Sequence, residues 1–428
     1  MIIDRKEYVD RLAEKRENGL VKIITGVRRC GKSFLLFKLF KDRLLQEKVP
    51  EKNMIFLALD NVENAPLRDP MALFEYLKEK TADKRRYYYI FLDEIQYVGV
   101  KILQKDPLVT VTFYDVLNGL MQQGNADIYV TGSNSKMLSK DVATQFRGRG
   151  DELHITPLSF AEYYRAAGGN KEEALASYML YGGMPLVLSK ERAEEKRAYL
   201  SGLFAETYFK DITERYKIKF PEAMAMITNE LCSSVGSLTN AKKIADSLQS
   251  ENGVDIDSET VAFYLNCLED SFLFSRANRY DVKGKKYFSY PSKFYCTDTG
   301  LNNARLNFRQ VEESHLMEDI LYNEFVRRGE SVDVGVVQFV DTDGGAAVRK
   351  TCEIDFVLNA RNAGEKCYIQ CALNIDAEEK KAQELRPFLK LKNDFTKRVM
   401  ITKTMLPPWT DEYGIHHMGI YDFLLPRR

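Results

Sequence analysis

Histidine is scarce, at four of 428 residues, and none of the seven cysteines forms C-x-x-C. No Cys/His group has zinc-site spacing, so the thiols read as small buried side chains in a reducing compartment. No run approaches the ~18 uninterrupted apolar residues of a membrane span. The first residues, Met1 to Glu7, lack the apolar core of a signal peptide. A cytoplasmic protein with no membrane partner is expected. Charge of either sign is not in excess, with 62 Lys+Arg against 62 Asp+Glu. Net charge therefore points to neither nucleic acid nor an acidic partner, and any nucleic-acid surface has to be local. What remains is an ordinary globular composition, 45% apolar and 29% charged, in a chain long enough for about two to four domains.

The informative stretch is Gly26-Val27-Arg28-Arg29-Cys30-Gly31-Lys32-Ser33. It fits G-x-x-x-x-G-K-[ST], the loop whose backbone N–H groups cradle phosphates. Val21 to Thr25 before it reads as a buried strand, and Ser33 to Phe40 after it as a helix. Strand, glycine loop and helix bring backbone donors and the positive helix end onto the β- and γ-phosphates. Lys32 is expected to reach those phosphates and the Ser33 hydroxyl to ligate Mg²⁺. Cys30 stands inside the loop, where oxidation would block a nucleotide.

Tyr87 to Leu92 is an apolar strand ending in Asp93-Glu94, the Walker B pattern. Asp93 is the expected Mg²⁺ holder and Glu94 the general base for the attacking water. A further strand, Ile128 to Gly132, ends in Ser133-Asn134. Asn134 is the candidate γ-phosphate sensor and Ser133 the second choice; an ordinary Gly/Ser/Asn turn explains the same residues. In Phe146-Arg147-Gly148-Arg149-Gly150, either Arg147 or Arg149 has the guanidinium needed to neutralise transition-state charge, in cis or in trans. A solvated basic turn is the competing reading. Strands alternating with helices imply a parallel sheet with the nucleotide at the strands' carboxyl ends.

The loop G-V-R-R-C-G-K-S, Leu92-Asp93-Glu94-Ile95-Gln96, Thr131-Gly132-Ser133-Asn134-Ser135-Lys136 and Pro157-Leu158-Ser159-Phe160 together resemble a family of prokaryotic AAA-type P-loop ATPases. In that family the AAA domain is followed by a C-terminal domain of unknown function. The family is akin to the archaeal-type ATPases of the additional-strand class. The resemblance covers the whole chain. It implies ATP and Mg²⁺ binding and ATPase activity, and supplies no substrate.

Four domains are expected: 1–150, the ATPase; 151–221, a helical lid or connector broken by Tyr181-Gly182-Gly183-Met184-Pro185; 222–305, a winged helix-turn-helix; and 306–428, an α/β unit. In the third, Ala223 to Cys232, Thr239 to Leu248 (Thr239 as N-cap) and Asp257 to Glu269 read as helices. A hairpin with its tip at Lys283-Gly284-Lys285-Lys286 follows. Lys283, Lys285 and Lys286 form the candidate DNA wing. The third helix, with no Arg or Lys among its apolar residues, favours protein contact instead. The last domain resembles the restriction-endonuclease core. Glu324 and Asp355 are its candidate metal acids, but Gln370 and Ala372 stand where an acid and a lysine belong. A catalytically degenerate domain is expected. The chain thus reads as a Mg²⁺-dependent ATPase whose hydrolysis switches its C-terminal domains on behalf of an unidentified protein client. The alternative is an ATP-bound DNA-binding or scaffolding module with little turnover.

Overall fold

The computed structural model describes residues 2–103, 106–132, 148–343, 346–359, 366–391, 396–405 and 407–425. Two compact units emerge: Met1–Pro157 with Asp270–Phe272, and the remainder from Leu158 onward. No helix among the described residues is long and apolar enough to cross a membrane.

Among its described residues the first unit holds seven strands: β1 Val21–Thr25, β2 Met54–Ala58, β3 Tyr88–Asp93, β4 Lys101–Leu103, β5 Asp106–Val111, β6 Ala126–Thr131 and β7 Gly150–His154. Five of them form one sheet in the order β2-β3-β6-β1-β7, and every pairing in it is parallel. Strand β6 thus lies between β1 and β3, the insertion that marks the additional-strand class. Strand β7 belongs to this sheet although its residues lie at and beyond position 150. Strands β4 and β5 form a separate hairpin.

A central parallel strand is covered on both faces, which is why β1 and β3 are buried at every residue. Ile90, Leu92, Ile128 and Val130 point to one face, under Leu73 and Leu77 of the helix Pro70–Lys80 and Leu117 of the helix Phe113–Met121. On the other face Phe56, Phe91 and Tyr129 stand in register across β2, β3 and β6. Their rings stack with centroids 4.7 and 4.9 Å apart. Phe40 packs onto Tyr129 at 5.2 Å. Its helical stretch runs without interruption from Lys32 through Lys41–Gln46. Burying aromatics of this size contributes about 2–3 kcal/mol each and holds that helix flat on the sheet.

The same row continues onto β1 at Lys22, the register partner of Tyr129. Lys22 is fully buried and ion-paired with Asp127, which also accepts from Tyr129 Oη at 2.7 Å and from the Glu17 amide at 3.0 Å. Burial pushes the Lys22 ammonium down, and Asp127 opposes the shift.

The N-terminal helix, Lys6–Glu14, is not the exposed amphipathic element its charges suggest. Tyr8 and Leu12 are fully buried, and the Tyr8 hydroxyl meets Thr156 Oγ1 at 3.0 Å. Its apolar stripe is narrow but wholly used, which charge patterning cannot reveal.

In the second unit Pro157-Leu158-Ser159 leads into the helix Phe160–Ala167. Ser159 and Glu162 form a reciprocal capping box, with the Glu162 amide 3.2 Å from Ser159 Oγ. The Gly182-Gly183 turn is structural. Gly182 has φ +70°, and a Cβ at Gly183 would lie 2.2 Å from the Leu158 carbonyl oxygen. Asp298 clamps that turn, accepting from the Gly183 amide at 2.6 Å while capping Leu301 at 3.0 Å.

Nine strands follow among the described residues: β8 Leu238–Thr239, β9 Phe274–Asp281, β10 Lys286–Cys296, β11 Ser331–Asp343, β12 Ala346–Asn359, β13 Lys366–Ala372, β14 Lys397–Thr402, β15 Trp409–Thr410 and β16 His416–Gly419. They form one sheet in the order β15-β16-β14-β13-β12-β11-β9-β10-β8. The parallel pairing of β9 with β11 carries it across residue 306. Helices Pro221–Ser233, Ala241–Asn252 and Ser258–Asp270 precede β9, and Asn240 rather than Thr239 caps the second, because Thr239 is spent in β8. The helix Glu313–Arg327 packs on the sheet through Tyr322, stacked on Tyr295 at 4.0 Å, and Phe325, edge-on to Phe356 at 5.3 Å.

Asp127→Ala leaves the Lys22 ammonium buried without its counter-charge. A loss of about 3–5 kcal/mol is expected, read as a lowered urea midpoint of the first unit's transition. A midpoint unchanged from wild type would show that the pair contributes nothing net.

Candidate active site

The loop Gly26–Ser33 joins β1 to its helix in a backbone path that few residues tolerate. Gly26 has φ +137°, Arg29 φ +63° and Gly31 φ +104°. A Cβ on Gly26 would sit 2.1 Å from the carbonyl oxygen of Ile155, so the loop lies directly on the chain leaving β7. Val27 and Cys30 are buried, Arg28 is half-buried and Arg29 exposed. The Cys30 thiol donates to the Ile155 carbonyl at 3.5 Å. Lys32 is buried; its Nζ donates to the carbonyls of Gly26 at 2.9 Å and Val27 at 3.1 Å, and to no side chain among the described residues. Ser33 lies in the first turn of the helix, half-buried.

Asp93 ends β3 and is buried; Glu94 follows in the left-handed region at φ +53°. Holding a non-glycine residue there costs roughly 1 kcal/mol or more, so the surroundings must enforce it. Thr131, at the end of β6, does so. Its hydroxyl donates to Asp93 Oδ1 and accepts the Glu94 amide at 3.1 Å. The Glu94 carboxylate in turn accepts from the Gln96 side-chain amide. Thr131 and Gln96 both lay inside motifs legible in the sequence, but nothing there distinguished them from neighbouring polar residues.

Of the remaining candidates only Arg149 lies among the described residues, and it is not beside the loop. Arg149 is exposed at the amino end of β7, its Nη1 3.3 Å from Asn118 Oδ1 and its carbonyl accepting the Val21 amide. The loop begins at the opposite, carboxyl end of β1, so a cis role for Arg149 does not fit. Asn134, Ser133 and Arg147 lie outside the described residues.

The basic hairpin is less available than its composition suggests. Arg276 pairs with Glu269 at 2.6 Å, Lys283 donates to the Gln338 carbonyl at 2.8 Å, and Lys293 is buried. Lys285 and Lys286 are exposed at the turn.

The expected acid Glu324 is buried but already bound to Arg327 and Arg328, each at 2.7 Å. Its place opposite Asp355 is taken by Glu318, nearly two turns earlier in the same helix. Lys293 Nζ sits between Glu318 Oε1 at 2.9 Å and Glu353 Oε1 at 2.7 Å, and Tyr295 Oη donates to Glu318 at 2.7 Å. Asp355 accepts from the Cys371 amide at 2.9 Å; burial, with Glu318 beside it, pushes its carboxyl up to about 7. Burial alone would lower Lys293, but Glu318, Asp355 and Glu353 hold it above the usual lysine range. Gln370 serves the structure, accepting the Asp355 amide at 3.3 Å and donating to Glu384 at 3.3 Å.

A parallel sheet with β6 inserted, a strained glycine loop opening a helix and an Asp-Glu pair ending β3 define a P-loop NTPase. A family model described as an AAA domain matches residues 18–164. One described as a domain of unknown function (DUF8612) matches residues 172–312. The chain is 31% identical over 429 residues to an uncharacterized protein of Haemophilus influenzae, covering 99% of both. It is 28% identical over 392 residues to an uncharacterized protein of Methanocaldococcus jannaschii, covering 87% of this chain and 80% of that one. Among solved structures it is similar to a Walker-type ATPase of Pyrococcus abyssi, with a TM-score of 0.49 at 15% identity over 71% of this chain and 96% of that one. The chain belongs to the family of AAA-type ATPases in which the AAA domain precedes this domain of unknown function.

Lys293→Met would leave Glu318, Glu353 and Asp355 facing one another without a cation. A destabilisation of about 3–5 kcal/mol is expected at pH 7.5, and a smaller one at pH 5, where protonation relieves the repulsion. Urea unfolding at the two pH values checks this; equal losses would show that packing, not charge, is at stake.

Proposed function

We propose that the chain is a Mg²⁺-dependent ATPase whose hydrolysis cycle changes the arrangement of its second unit for a protein client. The family supports nucleotide binding; the observation that carries hydrolysis is Thr131 joining Asp93 to the Glu94 backbone. That bridge fixes a would-be metal ligand and a would-be base relative to each other before any substrate arrives, the preorganisation that acid–base and metal chemistry require. The residues also fit Mg²⁺–ATP. Among the described residues the Lys32 ammonium rests only on loop carbonyls that a phosphate can outbid, and Lys32 with the loop amides would hold the β- and γ-phosphates. Ser33 and Asp93 would hold Mg²⁺, which neutralises phosphate charge. Glu94 would take the proton from the attacking water. Of the two arginines, Arg149 is reserved for a trans role from a neighbouring subunit.

We read the three helices with β8 to β10 as a winged helix, and the sheet beyond as an endonuclease-like fold without nuclease chemistry. Lys293 lies where its amine compensates Glu318 and Glu353; Gln370 offers only a neutral oxygen, a poorer ligand than a carboxylate, and Ala372 offers no cation.

A second reading, an ATP-holding module that turns over rarely, is favoured by Gln96, whose amide occupies the Glu94 carboxylate. A base held in a hydrogen bond is slower to accept a proton. Gln96→Ala is then expected to raise basal turnover several-fold; an unchanged or lower rate would remove Gln96 as a restraint.

Lys32→Ala is expected to abolish most ADP and ATP affinity in calorimetry, because the loop loses its cation aimed at the phosphates. Glu94→Gln should retain ATP and slow hydrolysis by roughly 10²-fold or more, and the trapped ATP state is the bait for a client. Wild-type turnover in Glu94→Gln would dismiss Glu94 as the base.

A further inference from the structure

Arg5 is 3% exposed, and its guanidinium meets carbonyl oxygens from two distant segments. Nη1 donates to the Cys30 carbonyl at 3.2 Å and to the Thr156 carbonyl at 3.0 Å; Nη2 donates to the Pro157 carbonyl at 3.3 Å. The plane lies over the Tyr8 ring at 4.5 Å. The Tyr8 hydroxyl in turn meets Thr156 Oγ1 at 3.0 Å and accepts the Thr156 amide at 3.3 Å. Cys30 and Gly31 lie in the phosphate loop. Thr156 and Pro157 are the last residues before the chain passes into the second unit at Leu158.

A planar trans peptide points its C=O and N–H in opposite directions. Binding the Cys30 carbonyl to Arg5 therefore turns the Gly31 N–H away from Arg5. That N–H has no acceptor among the described residues, as a donor kept for a phosphate oxygen would. A guanidinium suits this task. It is always charged, presents donors in a rigid fork, and cannot itself accept a bond that would compete. Three carbonyl oxygens on one buried cation return hydrogen bonds that it gives up on leaving water.

We propose that Arg5 is a positioning residue for the phosphate loop. It presets the Gly31 amide toward the nucleotide phosphates and couples the state of the loop to Thr156 and Pro157. The proposal rests on the nucleotide reading of the loop. Phosphate binding draws Lys32 off the Gly26 and Val27 carbonyls. Gly26 lies against Ile155, and Cys30 is tied to Ile155 through its thiol and to Thr156 and Pro157 through Arg5. A shift of the loop peptides is thus felt at Ile155–Pro157 through contacts with no slack between them.

The test uses the full chain, with ADP and ATP as probes. Arg5→Lys keeps the charge and loses the fork. Its melting temperature and ADP affinity are measured beside wild type and Lys32→Ala, and amide hydrogen exchange is followed by mass spectrometry over residues 150–160 with and without nucleotide. Expected are an ADP affinity about tenfold weaker, the scale of one lost hydrogen bond to a charged group, and loss of the nucleotide-dependent protection that wild type shows at Ile155 and Thr156. Tyr8→Phe removes the hydroxyl on Thr156 without touching the loop. It is expected to keep ADP affinity within about twofold and to lose part of that protection, and it carries the coupling test if Arg5→Lys does not fold. Wild-type affinity and wild-type protection in a folded Arg5→Lys chain would overturn the inference alone, as would unchanged protection in Tyr8→Phe. Failure of wild type to bind ADP any better than Lys32→Ala would overturn the nucleotide reading, and this inference with it.

Discussion

The chemistry of the first unit depends on β6 being hydrogen-bonded to β1 on one side and to β3 on the other. Had β1 and β3 been neighbours, the phosphate loop and the Asp-Glu pair would emerge side by side with nothing between them. With β6 inserted, Thr131 emerges in the gap. It donates to Asp93 and accepts from the Glu94 amide, so one hydroxyl spans two consecutive acidic residues. The left-handed backbone at Glu94 follows from that bond and is stabilised by it. The rest of the sheet serves to keep this edge still. The aromatic row Phe56, Phe91 and Tyr129 supports the helix that follows the loop, and the buried Lys22–Asp127 pair pins the far end of β1.

The architecture of the first unit was legible because its constraints act on consecutive residues. A glycine loop needs its glycines at fixed spacing, and a strand buried on both faces needs an unbroken apolar run. The β7 strand was harder, since Gly150 to His154 mixes charged with apolar residues and only its place at the sheet edge permits that. Arg5 gave no signal, because its acceptors are carbonyls, which any residue carries, 25 and 151 residues away. The error at Glu324 has a similar cause. Glu324 is four residues after Ile320 and so on the helix's apolar face, but the helix Glu313–Arg327 is buried around most of its circumference, including Asp319, Tyr322 and Glu324. Periodicity loses its power to choose a face when several faces are covered, and Glu318 was the acid that met the sheet.

Arg5, Lys22 and Lys293 are three of the buried cations among the described residues of a chain of zero net charge. They solve the same desolvation problem in three ways. Arg5 uses carbonyl dipoles, Lys22 a single carboxylate assisted by a tyrosine, and Lys293 two glutamates with a third acid beside them. The first choice ties the guanidinium to backbone carbonyls and makes it responsive to their movement, which suits a position next to the phosphate loop. The other two lock charge against charge and suit sheets that must not move. The neutral overall balance therefore conceals a division of labour that composition cannot express.

The parallel pairing of β9 with β11 has a consequence for descent. It brings Lys293, encoded before residue 306, against Glu318, Glu353 and Asp355, encoded after it. A recombination event at that boundary would give one descendant a cluster of acids and the other an orphan ammonium, each in a half-sheet with a raw edge. The two segments must be inherited together or compensated at once. Diversification within such a lineage is channelled to the hairpin turns, where exposed residues such as Lys285 and Lys286 can change without disturbing a partner.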